Sequence, residues 1–433
     1  MAQAASGPKV TAAFPSPPPS SPPPTVQYSA TLANGLQVVA EQMPHVRSVA
    51  MSLRVRAGAG SDPDTAGGSA NVLSDWMLRG AGSRDSRELT SYLDDLGVQR
   101  GSTAETIFLR FSAVMLASKL LQVLPVYGEI VRQPMLPDDG FGPSVDLAVQ
   151  QIKSIEDEPA QKLYLLLRAQ HYDYPLGRSS SGVQEELEKL TAAALRADFQ
   201  RRVGPENAIL ALAGNFDWPA VKECVEKVFG GWGQRPAVTI TPRPAPRGCK
   251  QVIQTTNQTQ IGLAFETIPE REPEAILMQA AVSVLSGGMG ARLFTEIREK
   301  QGLCYSVQAG YQSFRDQAAI FGYSGTAPER AQRTLDSFLV ELRRLREGVT
   351  ADELGRAIVG MKSRLIMQGE SPSARAGAIA HDLYHRGRPR SLDEVRTLIE
   401  SATLERVNAY LAEHPIEKFT TVTIGPEELA VGK

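Results

Sequence analysis

Residues 67–80 read GGSANVLSDWMLRG, a segment of apolar and polar residues that begins and ends with glycine. The flanking glycines and the apolar positions between them predict a helix over about residues 69–78. Side chains three and four positions apart share one face of a helix, so this helix presents Asn71, Ser74 and Asp75 together. The shared face therefore carries polar groups, but neither a histidine nor a glutamate.

Four further stretches along the rest of the chain contain specific sequence motifs. They read YPLGR at residues 174–178, NAILALAGN at 207–215, GGMGARLF at 287–294 and EIREKQGLCYSV at 296–307. Together with residues 67–80, these stretches resemble the insulinase/pitrilysin family of zinc peptidases, of the mitochondrial processing peptidase type. The matches are long and extend over nearly the whole chain after its N-terminal tail.

The order of predicted elements repeats along the chain. Each half opens with a strand pair, continues with several helices and closes with an apolar strand, a weak repeat of about two hundred residues. Helices against antiparallel strands predict an α+β fold. The resemblance implies two homologous α/β-roll domains that form half of a clam-like chamber. We expect a disordered Pro/Ser-rich tail at 1–27, a first domain at 28–233, a linker at 234–250 and a second domain at 251–433.

The resemblance also implies a degenerate metal site. The family carries an H-x-x-E-H motif, whose matching positions here are Asn71, Ser74 and Asp75. A third family ligand is a glutamate on a later helix, and the segment AVQQIKSIED at residues 148–157 puts Gln151 at that position. Catalytic zinc of this type needs two imidazoles, a carboxylate ligand and a carboxylate base. We therefore expect no metal in this chain and no zinc hydrolysis by the chain alone.

The C-terminal match retains two residues that the family directs at its substrate. Arg298 and Tyr305 keep the family's spacing, and a guanidinium with a phenol can stabilise the oxyanion of a peptide carbonyl. The alternative is a surface arginine in a salt bridge and a half-buried strand tyrosine. Gly287, Gly288 and Gly290 lack the Lys-Ser/Thr of a phosphate loop, so we expect them to contact peptide backbone or shape a cavity mouth.

These features predict the non-catalytic subunit of a heterodimeric zinc peptidase. The chain would contribute Arg298, Tyr305 and a peptide-binding surface to a homologous partner with an intact H-x-x-E-H motif, and only that partner would hold zinc. The alternative is a purely structural or binding homologue, like the core subunits of respiratory complexes that share this fold. An autonomous zinc endopeptidase is a third hypothesis, which the residues at 71, 74, 75 and 151 oppose.

Composition excludes several other classes of protein. The 46 basic and 48 acidic residues give a net charge of −2, without the basic excess of a protein that binds nucleic acid or anionic membrane. Three scattered cysteines predict neither a disulfide framework nor a zinc cluster. No apolar run has the length of a membrane span and no secretory signal is evident, so we expect a cytoplasmic protein.

Two further patterns involve helices in the second half. His381 and His385 have metal-ligand spacing on a predicted helix, but no third ligand is evident nearby in the sequence. We therefore expect helix-end histidines that the helix dipole favours. Farther along, apolar periodicity predicts one long helix over residues 392–411.

Overall fold

The structure is a computed structural model that describes residues 25–236, 238 and 240–431. The predicted disordered tail at 1–27 lies outside the described residues as far as residue 24. The first strand begins at Val26, so the last two positions assigned to the tail belong to the fold. The first strand of the second half begins at Cys249, just inside the predicted linker at 234–250.

The first half of the chain combines a sheet with helices. Its strands are β1 (Val26–Thr31), β2 (Gln37–Gln42), β3 (Ser48–Val55), β4 (Gly80–Ala81), β5 (Arg84–Asp85), β6 (Gln99–Ala104), β7 (Leu109–Leu116) and β8 (Ile209–Gly214). Its α-helices are α1 (Ser69–Trp76), α2 (Ser86–Asp95), α3 (Leu120–Arg132), α4 (Asp138–Glu156), α5 (Pro159–His171), α6 (Gln184–Leu187), α7 (Ala192–Arg202) and α8 (Trp218–Phe229). Short 3-10 helices occupy Ala59–Ser61 and Ala117–Lys119.

The second half has the same composition of elements. Its strands are β9 (Cys249–Ile253), β10 (Thr259–Thr267), β11 (Cys304–Ser313), β12 (Ala318–Thr326) and β13 (Thr420–Gly425). Its α-helices are α9 (Ala275–Ser286), α10 (Ala331–Arg343), α11 (Ala351–Gly369), α12 (Pro372–Arg386), α13 (Leu392–Glu400) and α14 (Leu404–Glu413). A π-helix covers Phe294–Lys300, and 3-10 helices occupy Pro328–Arg330 and Arg344–Glu347. None of the helices that the structure describes is long and apolar enough to cross a membrane.

The two large sheets share one topology. The first has the order β1-β2-β8-β3-β7-β6 and the second the order β11-β12-β10-β13-β9. Without β1, the first order matches the second read in reverse. Each contains one parallel pair, β2 with β8 and β13 with β9, while the remaining pairs are antiparallel. The α+β prediction and the internal repeat are therefore confirmed.

The prediction of one helix over residues 392–411 is wrong, because two helices cover this range. α13 ends at Glu400, and the side chain of Thr403 accepts a hydrogen bond from the backbone N–H of Arg406 as the cap of α14. Ala402, between the helices, is 3% exposed. A capping threonine offers the backbone an alternative to helix continuation, and apolar periodicity does not reveal this.

Helix α5 of the first half packs on the second sheet, against β10 and β13. Its Leu163 and Leu167 form one apolar cluster with Ala264 and Val422 of those strands. A Cβ at Gly262 would lie 3.1 Å from Leu167 and 3.2 Å from Leu163. The glycine in β10 therefore allows the close approach of the helix.

Helix α12 of the second half makes the reciprocal contact with the first sheet, against β2, β3 and β8. Its Ile379 and Ala380 cluster with Val39, Ile209 and Ala211. Alternate residues of the same strands face the helices of the first half in a separate core. Each sheet is thus buried on both faces, and the cover of one face comes from the other half of the chain.

A buried ion pair joins this exchanged helix to the first sheet. Arg375 of α12 donates two hydrogen bonds to the carboxylate of Glu41 in β2, at 2.7 and 2.6 Å. The two side chains are 3% and 1% exposed. Arg54 of β3 also donates to the backbone oxygen of Gly377, at 3.2 Å. These contacts fix the position of α12 along the sheet because a bidentate pair is directional.

We expect Arg375→Met to lower the free energy of unfolding by about 3–5 kcal/mol, because it leaves the buried Glu41 charge without a cationic partner and with only the amide of Gln27 as a side-chain donor. The measurement is the midpoint of urea unfolding at constant m-value. Arg388→Ala is the matched control: it removes an exposed pair with Glu394 and should cost less than about 1 kcal/mol. Equal losses in the two variants would contradict a dominant role for the buried pair.

Candidate functional site

The N-terminus of α1 is held by a buried carboxylate. Asp62 accepts hydrogen bonds from the backbone N–H groups of Gly68 at 2.8 Å and Ala70 at 2.9 Å, and from the hydroxyl of Ser69 at 3.0 Å. Arg202 of α7 pairs with the same carboxylate at 2.6 Å, and both charged side chains are fully buried. Negative charge at a helix N-terminus is favourable, so this pair fixes the direction of α1.

The positions expected to form a degenerate metal site are Asn71, Ser74 and Asp75 on α1 and Gln151 on α4. The structure brings the two amides together: Nδ2 of Asn71 donates to Oε1 of Gln151 at 2.8 Å, across 80 positions of sequence. α4 also packs along α1. Gln151, the residue that the motif at 148–157 aligns with the family's third ligand, thus lies beside α1.

The side chains of the other two residues, Ser74 and Asp75, form hydrogen bonds with their neighbours. Ser74 donates its hydroxyl to the backbone oxygen of Asn71 at 2.8 Å. Asp75 accepts from Nε of Arg79 at 2.7 Å and from the hydroxyl of Ser144 at 2.6 Å. Amides, a hydroxyl and a carboxylate already paired with arginine do not fit zinc, and they include no free carboxylate base.

Arg298 and Tyr305 lie in the second half, on the π-helix and at the start of β11. The Arg298 guanidinium lies over the ring of Phe294, 4.8 Å from its centroid. Tyr305 is 68% exposed. Within the described residues, neither side chain forms an ion pair or a hydrogen bond, and no such bond joins them to Asn71 or Gln151. The salt-bridged arginine and half-buried tyrosine of the alternative interpretation are therefore not observed.

The glycine-rich turn follows the C-terminus of α9. Gly287, Gly288 and Gly290 line a cavity of about 100 Å³ together with Arg356 and Gly360 of α11. No atom lies within 4 Å of where a Cβ of Gly288 would be, so this stretch of backbone is open on that side. The assignment of these glycines to peptide contact stays a prediction.

Sequence analysis missed a third polar residue near the paired histidines. Oε2 of Glu270, 111 positions earlier, lies 2.6 Å from Nε2 of His381. His385 is 5% exposed, and burial lowers its pKa to about 4, so it is a neutral imidazole rather than the dipole-favoured cation we expected. Burial alone would raise the pKa of Glu270, but the hydrogen bond and charge of His381 lower it to about 2. No spacing rule links such distant positions.

Comparison with known proteins agrees with the fold. Residues 37–183 match the family model described as insulinase (peptidase family M16), and residues 189–361 match the model of the peptidase M16 inactive domain. The chain belongs to the insulinase (M16) family. The range of the second model includes Arg298 and Tyr305, and the range of the first includes Asn71 and Gln151.

Relatives of this M16 chain extend over almost its full length. A protein of Mycobacterium tuberculosis named as an uncharacterized zinc protease is 26% identical over 407 residues, which cover 92% of each chain. A Bacillus subtilis protein with the same description is 26% identical over 402 residues, covering 92% of this chain and 97% of the relative. These relatives are similar to this chain in sequence, and their descriptions apply to them and not to residues 71, 74, 75 and 151 of this chain.

Solved structures show the same fold. A peptidase M16 inactive domain from Pseudomonas fluorescens superposes with a TM-score of 0.82 at 21% identity, covering 93% of this chain and 98% of the other. A Helicobacter pylori protease superposes with a TM-score of 0.83 at 18% identity, covering 93% and 100%. A chain of complex III2 from Candida albicans gives 0.77 at 17% identity, covering 92% and 96%.

We expect the combined substitutions Asn71→His, Ser74→Glu, Asp75→His and Gln151→Glu to create a zinc site, because the backbone already brings α1 and α4 into contact. The variant should retain one more zinc ion per chain than the parent, measured by metal analysis after dialysis. A control variant without Gln151→Glu lacks one ligand and should bind zinc at least about tenfold more weakly. Equal zinc content in parent and full variant would contradict the expected ligand geometry.

Proposed function

We propose that this M16 chain is the non-catalytic subunit of a two-chain zinc peptidase. On this proposal it binds extended peptide and places Arg298 and Tyr305 beside the zinc site of a homologous partner. The observation that carries the proposal is a contrast within one chain. The metal site is closed by the Asn71–Gln151 hydrogen bond, while the substrate-directed pair is present and exposed.

The exposure of the pair supports a role at an interface. Tyr305 presents most of its ring to solvent, and an exposed aromatic ring gains stability when a partner or ligand covers it. Arg298 lies over Phe294 and retains hydrogen-bond donors for a ligand. A guanidinium and a phenol that converge on one carbonyl oxygen would stabilise the charge that develops there.

The placement of the pair favours action on another chain. Arg298 and Tyr305 belong to the second half, whereas Asn71 and Gln151 belong to the first, and no hydrogen bond between the two sets is found among the described residues. Asn71, Ser74, Asp75 and Gln151 of this chain would also offer no zinc-activated water, because these residues do not fit zinc. A partner with H-x-x-E-H would supply the zinc-bound water, and this chain would hold the substrate carbonyl.

Sheet edges support the peptide-binding part of the proposal. β6 and β11 are the outer strands at equivalent ends of their sheets. Each presents backbone donors and acceptors to which an extended peptide can add as a further strand. β11 starts with Cys304 and Tyr305, so a peptide paired along it would pass the phenol. β6 adjoins α1, which carries the degenerate site.

A tagged chain isolated from its native host tests the partnership. We expect a homologue that carries an intact H-x-x-E-H motif to co-purify in a one-to-one ratio, as identified by mass spectrometry and by scattering mass. Recovery of this chain alone, or with proteins that lack the motif, would contradict the two-chain peptidase and favour the structural homologue.

We expect Arg298→Ala in the purified two-chain complex to lower kcat about 100-fold, with a smaller change in KM, because the donor acts mainly on the transition state. Tyr305→Phe removes only the hydroxyl and should also lower kcat. Arg346→Ala, another exposed arginine of the second half, is the control and should leave peptide cleavage unchanged. Unaltered kcat in both test variants would contradict the proposed role.

A further inference from the structure

The His–Glu cluster, formed by Glu270, His381 and His385, lies at the junction of the two halves. The histidines are one turn apart on α12, and Glu270 is in the loop between β10 and α9. One ligand atom from each residue lies within 4.8 Å of the other two. The imidazole centroids are 4.1 Å apart. Three donor groups from two segments of the chain therefore converge on one small volume.

One polar atom of this cluster is unsatisfied. His385 is 5% exposed, and its Nδ1 has no hydrogen-bond partner among the described residues. A buried polar atom without a partner destabilises the folded state. By contrast, His381 is 40% exposed through its side chain, so the cluster has one buried wall and one open side.

The neighbouring charges hold Glu270 in a fixed orientation. Arg390 and Arg386 approach Oε1 at 3.4 and 3.7 Å, which leaves Oε2 directed at His381. Asp382 pairs with Arg390 at 2.6 Å and balances part of the positive charge. Carboxylates that bind metals are commonly oriented in this way by a further layer of hydrogen bonds.

We propose that Glu270, His381 and His385 form a binding site for a divalent transition metal of the zinc type. Two imidazoles and one carboxylate are a ligand set that favours such ions over magnesium or calcium. Ligand atoms bound to tetrahedral zinc at about 2.0–2.1 Å are roughly 3.3 Å apart. The 2.6 Å contact between His381 and Glu270 therefore has to open by less than ~1 Å, and any separation near the 4.8 Å limit of the cluster has to shorten by about 1.5 Å.

The open side at His381 gives the metal an entry path and leaves the fourth coordination position to water. The site is separate from Asn71 and Gln151, and it does not depend on the proposed peptidase partnership. Its ligands join the loop that precedes α9 to the helix that covers the first sheet. A bound ion would therefore stabilise the junction between the halves, because ligands that bind only the folded state raise its stability.

The test uses the untagged full chain after chelator treatment, titrated with zinc by calorimetry and with cobalt by visible absorption. We expect a single site with cobalt bands of tetrahedral intensity, and a rise in Tm on addition of zinc. His381→Gln should weaken binding at least about 100-fold, since it removes a ligand. This partly exposed position tolerates the change, and circular dichroism checks that the variant is folded.

Two controls make the result specific. His45→Gln changes another exposed histidine, and Asn71→Ala alters the degenerate metal site; both variants should bind zinc like the parent chain. Absence of zinc binding by the parent, or equal binding by parent and His381→Gln, would overturn the proposal. Loss of binding in Asn71→Ala alone would place the metal at the degenerate site instead and would equally overturn it.

Discussion

The reciprocal exchange of α5 and α12 is the constraint on which the rest of the molecule depends. Each sheet uses alternate residues of the same strands to face its own helices and a helix of the other half. Because burial of apolar surface is the main stabilising term in folding, neither half completes its core alone. The buried pair of Arg375 with Glu41 then fixes where α12 lies, and this sets the position of every side chain that the helix carries, including both histidines.

Within this frame, α1 and α4 are joined by hydrogen bonds between their own side chains. Asn71 and Gln151 form one amide hydrogen bond between the two helices, and Asp75 is satisfied by Arg79 and Ser144. Polar groups in a folded protein need partners, and here they find them within the chain. The contact between the two helices therefore rests on side-chain hydrogen bonds within this chain.

The fold class, the internal repeat and the position of Gln151 beside α1 could be predicted from the sequence. Each prediction rests on hydrophobic periodicity or on motifs shared with a family. It could not reveal contacts that depend on how distant segments fold back. Glu270 reaches His381 only because the loop after β10 ends beside α12, and the exchange of helices is invisible to local patterns. The break between α13 and α14 at Ala402 was not predicted for another reason. A capping threonine competes with helix propagation, and the spacing of apolar residues carries no information on that competition. The roles of Arg298 and Tyr305 rest on the family resemblance and on their exposure.

The uncovered edge of β11 also bears on how such a chain would fare in a cell. Among the described residues, the ten residues of β11 pair only with β12, so the other edge of β11 is a template on which another chain can build a sheet. If the chain acts in the proposed two-chain peptidase, a subunit made in excess of its partner would be prone to aggregate through this edge. Balanced synthesis of the two chains, or a chaperone that covers the edge until assembly, would then matter as much for this protein as its thermodynamic stability.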